Sequence, residues 1–179
     1  MKGNAMKKLL LIACSLFLVV SLGKAQDYEY IGASKCKMCH NKAPKGEQYN
    51  KWKEGPHAKA FETLATAEAK KYSDNPQKDP KCLKCHSTYH AADKDLMYTI
   101  KDDEGVSCES CHGPGSEYKS MSVMKSQEKS LANGMIIPTA DVCITCHNEE
   151  SPTFIGFNYN EFVKKIAHDD PTTDTDYVK

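Results

Sequence analysis

The residues best suited to chemistry in this chain are pairs of cysteines, each followed directly by a histidine. Two thiols separated by two residues can add across the two vinyl groups of one porphyrin, and the imidazole that follows can then bind the iron. The pattern Cys-x-x-Cys-His occurs four times, with its cysteines at Cys36 and Cys39, Cys82 and Cys85, Cys108 and Cys111, and Cys143 and Cys146. The sequence therefore predicts four covalently bound haem c groups.

Each motif would supply two thioethers and one axial iron ligand. Zinc knuckles or disulfides are the alternative for paired cysteines in an exported protein, and neither uses the histidine that follows. The chain has only 7 histidines in 179 residues, so a histidine after all four pairs favours haem attachment. The predicted proximal ligands are His40, His86, His112 and His147.

The ninth cysteine, Cys14, lies in a segment with the features of a secretory signal peptide. Residues 1–25 contain lysines, then the apolar run 9–22, then small residues before Gln26. This segment predicts export to the periplasm, where haem is attached. Two alternatives remain, both of which tie the protein to a membrane or to the cell surface. In one, Cys14 carries a lipid, because the residues around it resemble a lipobox; in the other, the apolar run is kept as a short anchor.

Removal of the leader leaves residues 26–179, a length suited to one domain. The polar residues 169–179 are expected to form a frayed tail. The complete chain has 24 basic and 24 acidic residues, and the leader holds lysines but no acids, so the domain is acidic. Nucleic-acid binding, which calls for a basic surface, is not expected.

The mean hydropathy of −0.61 indicates a thin protein core. Porphyrin faces are apolar and can supply the surface that the side chains lack. We therefore expect a mainly α fold with little β structure, a compact multihaem cytochrome c whose core is built largely from four covalently bound haems. Two local expectations accompany it: a short hairpin, in which the β-prone residues 96–101 lead into a turn at residues 102–105, and a helix from Ser116 that stops at Asn133-Gly134.

Helices between the motifs must position further iron ligands. Pro56 offers a helix start, after which His57 shares one helical face with Ala60 and Leu64. A histidine on such a face is commonly a hydrogen-bonded core residue. With four irons to coordinate, we favour a distal ligand.

Three other residues are candidates for distal ligands. His168 is the only histidine after the fourth motif and closes a short helix. His90 stands four residues beyond His86, so on a continued helix it cannot reach the far face of its own haem; it either serves a neighbouring haem or is solvated. Met121 shares a stripe with Met124, and such stripes usually pack, although a thioether also binds haem iron.

Beyond the attachment motifs, three patterns are distinctive. They are Trp52-x-x-x-x-His57-Ala58 after the first motif, Glu104-Gly105-Val106 before a third motif that ends in Gly113-Pro114-Gly115, and Asn148 with Ser151-Pro152-Thr153-Phe154 after the fourth. Together with the four motifs, they resemble the cytochrome c-554 family of tetrahaem cytochromes. The resemblance implies a mostly helical fold, haems in closely stacked pairs and periplasmic electron transfer.

The same resemblance implies ligand assignments. It implies that His57 ligates the fourth haem and His168 the third. In the family, a further distal histidine for the first haem follows the third motif, and the second haem lacks a strong sixth ligand. This chain has no histidine between its third and fourth motifs, so the first haem uses Met121, Met124 or His90, or stays open.

The histidine count limits the ligand sets. Four six-coordinate haems need eight axial ligands, and the chain has 7 histidines, so at most three haems are bis-histidine. The favoured function is an electron carrier, not an enzyme, whose partners are a membrane quinol oxidase module or periplasmic or outer-membrane cytochromes. The alternatives are a nitrogen oxide reductase at an open haem, and a self-associating protomer of an extracellular haem filament.

Overall fold

The structure, a computed structural model, describes residues 28–172. This part of the chain forms short helices joined by turns, and it contains no named strand. The mainly α fold is therefore confirmed for the described residues. The α-helices are α1 (Ala33–His40), α2 (Gln48–Glu54), α3 (Ala60–Thr63), α4 (Pro80–His86), α5 (Thr88–Ala91), α6 (Cys108–His112), α7 (Met121–Met124), α8 (Gln127–Ala132), α9 (Ala140–Ile144) and α10 (Tyr159–Ile166).

The attachment motifs lie on these short helices. The first three motifs end α1, α4 and α6, each at its histidine, whereas the fourth begins in α9 and continues into a turn. Helix α4 shows how the local sequence fixes a start: Pro80 occupies the first turn, and the Asp79 side chain accepts a hydrogen bond from Lys81 N–H at 2.9 Å. A single helical turn is enough to bring two motif thiols to one side.

Few side chains are fully buried in residues 28–172. Several of the buried residues are polar, among them Ser107 and Glu109. Large apolar side chains lie exposed within or near the motifs, including Met38, which is 78% exposed. This distribution agrees with the expected thin protein core. The buried hydrophobic residues are Ile31, Ala33, Ala60, Leu64, Leu83, Ile100 and Tyr118.

The hairpin expected over residues 96–101 is wrong. Instead of folding back on itself, the segment pairs with the residues that precede the first motif, through an isolated parallel bridge between Tyr30 and Met97. Tyr30 N–H donates to the Leu96 carbonyl at 2.8 Å, and Tyr98 N–H donates to the Tyr30 carbonyl at 3.0 Å. The bridge thus ties the approach to the third motif to the start of the first.

The helix expected around His57 begins later than predicted. Its residues 56–59 form a turn, and α3 starts at Ala60, whose N–H donates to the His57 carbonyl at 3.1 Å. The His57 carbonyl also accepts a hydrogen bond from Val106 N–H at 3.0 Å. Since that bond comes from the segment before the third motif, tertiary contacts hold His57 in a turn. Ala60 and Leu64 are buried, as the helical spacing predicted.

The helix expected from Ser116 is also divided. Ser116 does not cap it; its hydroxyl instead accepts a hydrogen bond from Glu29 N–H at 3.0 Å. Two short helices, α7 and α8, follow, with N-caps at Ser120 and Ser126. The predicted stop is confirmed, because α8 ends at Ala132 with Asn133 as its C-cap, and Gly134 has a positive φ of 93°.

The two ends of the domain are described only in part. Within residues 28–172, no helix is both long enough and apolar enough to cross a bilayer. The predicted signal peptide and Cys14 lie outside the described residues, as do residues 173–179 of the predicted tail. The described part of that tail contacts the loop after the first motif, where Lys45 Nζ lies 3.6 Å from an Asp170 oxygen and donates to the Thr172 hydroxyl at 2.5 Å.

Candidate haem centres

Two pairs of histidine rings lie next to each other in the described residues, with planes inclined by 73° for His112 and His168 and by 65° for His57 and His147. The ring centroids of His112 and His168 lie 6.0 Å apart, and those of His57 and His147 lie 6.1 Å apart. An iron bound between two imidazoles, with metal–nitrogen bonds of about 2 Å, would hold the ring centroids about 6 Å apart. Both pairs therefore have the spacing of a bis-histidine iron site.

Hydrogen bonds orient two of the candidate ligands. His168 Nδ1–H donates to the Ile166 carbonyl at 2.8 Å, and His86 Nδ1–H donates to the Ala60 carbonyl at 2.8 Å. A carbonyl can only accept, so each bond places the proton on Nδ1 and leaves the Nε2 lone pair free to bind a metal. Backbone atoms thus select the tautomer that iron ligation requires.

Burial favours the neutral, metal-binding form of three of the paired imidazoles, His57, His112 and His147. It lowers the pKa of His112 to about 4, with a smaller contribution from neighbouring His168. Burial also lowers the pKa values of His57 and His147. At neutral pH each of these three rings therefore offers a lone pair without first losing a proton.

Aromatic rings support the fourth motif. The His147 ring stacks on Phe157, with centroids 4.9 Å apart and planes 13° apart, and Phe157 in turn stacks on Phe162 of α10 at 5.3 Å. This role of Phe157 was not predicted from the sequence. The sequence feature that could have indicated this role is the cluster of aromatic residues after the fourth motif.

The remaining two proximal candidates, His40 and His86, have no such partner. Every histidine of the chain lies within residues 28–172, and none of their rings faces His40 or His86 as His168 faces His112. His90 is in ring contact with its neighbour Tyr89, at 5.1 Å. The structure therefore brings His57 and His168 beside proximal histidines but does not bring His90 beside one.

The two methionine candidates differ in their surroundings. Met121 is 65% exposed. The sulfur of Met124 is half-buried and accepts a weak hydrogen bond from the Ser130 hydroxyl at 3.8 Å. Met124 is thus engaged in packing, whereas Met121 remains the freer thioether of α7.

Contacts between motif thiols show which motifs are neighbours. The thiols of Cys36 and Cys108 form a hydrogen bond, which lowers the pKa of Cys36 and raises the pKa of Cys108. The first and third motifs therefore lie side by side.

The third motif also adjoins the fourth, and the fourth adjoins the second. Burial raises the pKa of Cys111 to about 11, and the nearby thiols of Cys143 and Cys146 add to that shift. The Cys85 thiol is hydrogen-bonded to Cys146. An ion pair between Lys84 of the second motif and Glu150 joins the same two motifs from outside. The motifs thus lie in the order first, third, fourth, second.

A buried carboxylate joins the first and third motifs. Glu109, the residue after Cys108, is 2% exposed. Its oxygens accept hydrogen bonds from Ile31 N–H at 2.9 Å, Gly32 N–H at 2.7 Å and Gly115 N–H at 2.7 Å. Burial raises the pKa of Glu109, while these backbone donors oppose the shift. The side chain therefore fixes the chain just before α1 against α6.

A second carboxylate acts beside it. Glu104 accepts hydrogen bonds from Ala33 N–H at 2.8 Å and from the Ser107 hydroxyl at 2.6 Å. Ala33 is the first residue of α1, so Glu104 satisfies a free backbone donor at the start of the helix. We call Glu104 and Glu109 the carboxylate clamp. In the sequence, both residues are part of the pattern shared with the family, and nothing near them predicts this role.

Trp52 links α2 to the same region. Its indole Nε1–H donates to the Val106 carbonyl at 2.8 Å, and its ring lies 5.5 Å from that of Tyr49. Val106 also donates to the His57 carbonyl, so Trp52 supports the turn that carries His57.

Comparison with known proteins gives the family. The sequence model of the family described as cytochrome c554 and c-prime matches residues 35–113. An alignment of 161 positions with cytochrome c-554 of Nitrosomonas europaea has 30% identity and covers 76% of this chain. The chain belongs to the cytochrome c-554 family. It spans 66% of that relative's length, just under two thirds. No solved structure matches the chain.

Membership of the cytochrome c-554 family makes the chain a c-type cytochrome with haem c as its cofactor. The residues present fit that group. All motif cysteines are free thiols in the described residues, and two of the four histidines predicted to be proximal ligands lie at iron-spanning distance from a second imidazole. No bare-ion site made of three or more His, Cys, Asp or Glu side chains occurs within residues 28–172.

Proposed function

We propose that this cytochrome c-554 family member is an exported tetrahaem electron carrier that passes single electrons between redox proteins. The observation that carries the proposal is the facing of His112 by His168 and of His57 by His147, at 6.0 and 6.1 Å. Two strong axial ligands leave no site for a substrate. A haem held in this way can gain and lose an electron with little rearrangement, which suits a carrier.

In this proposal every attachment motif holds one haem c. His40, His86, His112 and His147 are the proximal ligands, and His57 and His168 are the distal ligands of the fourth and third haems. The distal ligands of the other two haems differ, because the third spare histidine, His90, is not in ring contact with either proximal residue. Haem supplies the one-electron chemistry; the chain sets ligand identity, burial and spacing.

The order of the motifs supports an internal electron route. Thiol contacts join the first motif to the third, the third to the fourth, and the fourth to the second. Porphyrins attached to touching thiols lie close together, and electron transfer between cofactors requires such closeness. We infer a continuous path whose two ends are the first and second haems.

The proposed location is the periplasm, and the proposed partners are a membrane quinol oxidase module or other periplasmic or outer-membrane cytochromes. The predicted leader of residues 1–25 supports export, since covalent haem attachment takes place outside the cytoplasm.

One observation favours a second candidate function. His40 and His86 each lack a facing imidazole in the described residues, so one of their irons is a candidate open site. His86 is already anchored through Nδ1 to the Ala60 carbonyl. A reductase that acts on small nitrogen oxides would use such an open haem site. No comparable observation favours the haem filament.

Intact-mass spectrometry and spectroelectrochemistry of the exported protein test the main proposal. We expect the mass of residues 26–179 plus four haems, and four one-electron transitions, each reversible. Two of the ferric haems should give low-spin bis-histidine signals in electron paramagnetic resonance. Fewer than four covalent haems, or transitions that are not reversible, would contradict a tetrahaem carrier.

A further inference from the structure

The chain around the first motif is unusually rich in lysine. Residues 35–59 contain only two acids, Glu47 and Glu54. Helices α1 and α2 pack against each other and carry Lys35, Lys37, Lys51 and Lys53, while the other lysines lie in the chain just after each helix. The lysines of the segment are Lys35, Lys37, Lys42, Lys45, Lys51, Lys53 and Lys59.

Some of these lysines have partners within the domain. Lys45 lies 3.6 Å from Asp170, Lys37 lies over the Tyr49 ring at 5.3 Å, and Lys59 donates to the Glu54 carbonyl at 3.0 Å. The other four are exposed and pair with no carboxylate of residues 28–172. We call these four the lysine surface: Lys35, Lys42, Lys51 and Lys53.

The lysine surface stands out against the charge of the whole chain. The chain has 24 basic and 24 acidic residues, and several lysines belong to the leader. Concentrating lysines in residues 35–59 therefore leaves the rest of the domain acidic. Unpaired like charges on neighbouring helices repel one another and cost stability, so a patch of this kind is typical of a surface that meets an oppositely charged partner.

The location of the surface adds a second argument. Lys35 flanks Cys36, and Lys42 follows closely after His40, so the lysines surround the first attachment motif. The first motif is one end of the motif order derived from the thiol contacts. A terminal haem is where an electron enters or leaves a chain of cofactors.

We propose that the lysine surface docks a one-electron redox protein with an acidic surface, and that electrons enter through the haem held by Cys36 and Cys39. This rests on the proposed electron-carrier function. In each encounter the partner's reduced centre loses one electron and the first ferric haem gains it. No atom is transferred and no bond to carbon is made or broken.

A competing role for these lysines lies inside the protein, as counter-ions of haem propionates. The two roles differ in what a change of charge should do. Loss of a propionate partner would shift the potential of the first haem and leave partner binding alone. Loss of a docking contact would slow association and weaken its dependence on salt while leaving the potential nearly constant.

The test uses the holoprotein and a reduced flavodoxin, a small acidic flavoprotein, as the probe. The variant Lys51→Glu/Lys53→Glu changes α2 and avoids the attachment motif. The matched control Lys70→Glu/Lys78→Glu makes the same change of charge at exposed lysines before the second motif. Rapid mixing gives the rate constant of haem reduction at ionic strengths from about 0.01 M to about 1 M.

We expect the α2 variant to react about tenfold or more slowly than wild type at low salt, and the difference to vanish at high salt. The control should stay within about twofold of wild type. Carbodiimide coupling of flavodoxin to the wild-type protein should yield cross-links at the lysine surface. Equal rates for the variant and wild type would overturn the docking proposal, as would a shifted first-haem potential with unchanged association.

The same experiment separates this proposal from the proposed function. If flavodoxin reduces wild type rapidly but the α2 variant equally fast, the carrier function stands and the docking surface is wrong. If dithionite reduces all four haems and flavodoxin reduces none, exchange with proteins itself fails, and both proposals fall.

Discussion

His168 and His112 face each other with ring centroids 6.0 Å apart, although one lies just after α10 and the other ends the third motif. The loop after the first motif supports the chain beyond His168. Gln48 donates to the Asp169 carbonyl at 3.4 Å, and Lys45 pairs with Asp170. His168, the candidate distal ligand of the third haem, is therefore held in place by residues that follow the first attachment motif.

Replacement of His168 tests its proposed role as a ligand. In His168→Ala, we expect one bis-histidine low-spin haem to become high-spin or water-ligated, and its potential to rise, because a basic imidazole stabilises the ferric state. Electron paramagnetic resonance and a spectroelectrochemical titration measure the two effects. His57→Ala should do the same to a different haem.

His90→Ala is the matched control for these two variants. Since His90 is in ring contact with Tyr89 and not with a proximal histidine, we expect its removal to leave the low-spin signals unchanged. If His90→Ala abolishes a low-spin signal while His168→Ala leaves all of them intact, the proposed ligand assignments are wrong.

Gly105 offers a way to disturb His57 without touching it. Its φ is +79°, and a Cβ there would lie 2.7 Å from the Ala58 carbonyl oxygen and 2.9 Å from that of His57. We expect Gly105→Ala to displace the turn, weaken the low-spin signal of the fourth haem and lower the free energy of unfolding by about 2–4 kcal/mol. Denaturant titration and paramagnetic resonance measure both.

Gly156→Ala is the control for backbone conformation. Gly156 also has a positive φ, +107°, but a Cβ there meets no atom within 4 Å. It should therefore show only the conformational cost, about 1–2 kcal/mol, with normal haem spectra. If the two variants have identical spectra and stabilities, the close contact between a Cβ at residue 105 and the His57 carbonyl has no effect.

The carboxylate clamp should contribute measurably to stability. Glu109→Gln keeps the size of the side chain but replaces one acceptor oxygen with an amide group that faces backbone donors. We expect the free energy of unfolding to fall by about 2–4 kcal/mol, since hydrogen bonds to a buried charge are lost. Exposed Glu128→Gln on α8 should change it by less than about 0.5 kcal/mol.

Carbon monoxide tests the open site. We expect it to bind the reduced protein at the haem behind His86 and to shift part of the Soret band, because no facing imidazole must first leave. If Met121 ligates the first haem, Met121→Ala should lower the highest of the four potentials, since a thioether favours ferrous iron. An unchanged Soret band together with four low-spin ferric haems would contradict the open site.

The sequence was informative where chemistry is local. Motif spacing defined the attachment residues, and the position of His57 near Ala60 and Leu64 pointed to an inward-facing imidazole. The resemblance to the family added the expected pairing of His57 and His168 with particular haems. The structure places their rings beside His147 and His112, and ligation itself stays a prediction.

The sequence was uninformative where long-range contacts decide. Nothing around Glu109 indicates that it will meet Gly32, because the pairing depends on how distant segments pack. The same is true of the turn at His57. Pro56 favours a helix there, but the hydrogen bond from Val106 N–H to the His57 carbonyl holds this residue in a turn. The single helix predicted from Ser116 was also too long. The Ser116 hydroxyl accepts a hydrogen bond from Glu29 N–H and therefore does not cap a helix.

The carboxylate clamp has a consequence for how the molecule is made. The first motif leaves the ribosome before Glu104 and Glu109, yet the backbone donors of Ile31, Gly32 and Ala33 find their acceptors only in those later residues. The earliest part of the domain therefore stays incomplete until those later residues have been synthesised. The beginning of the chain therefore closes only against the third motif and the residues just before it, which carry Glu109 and Glu104.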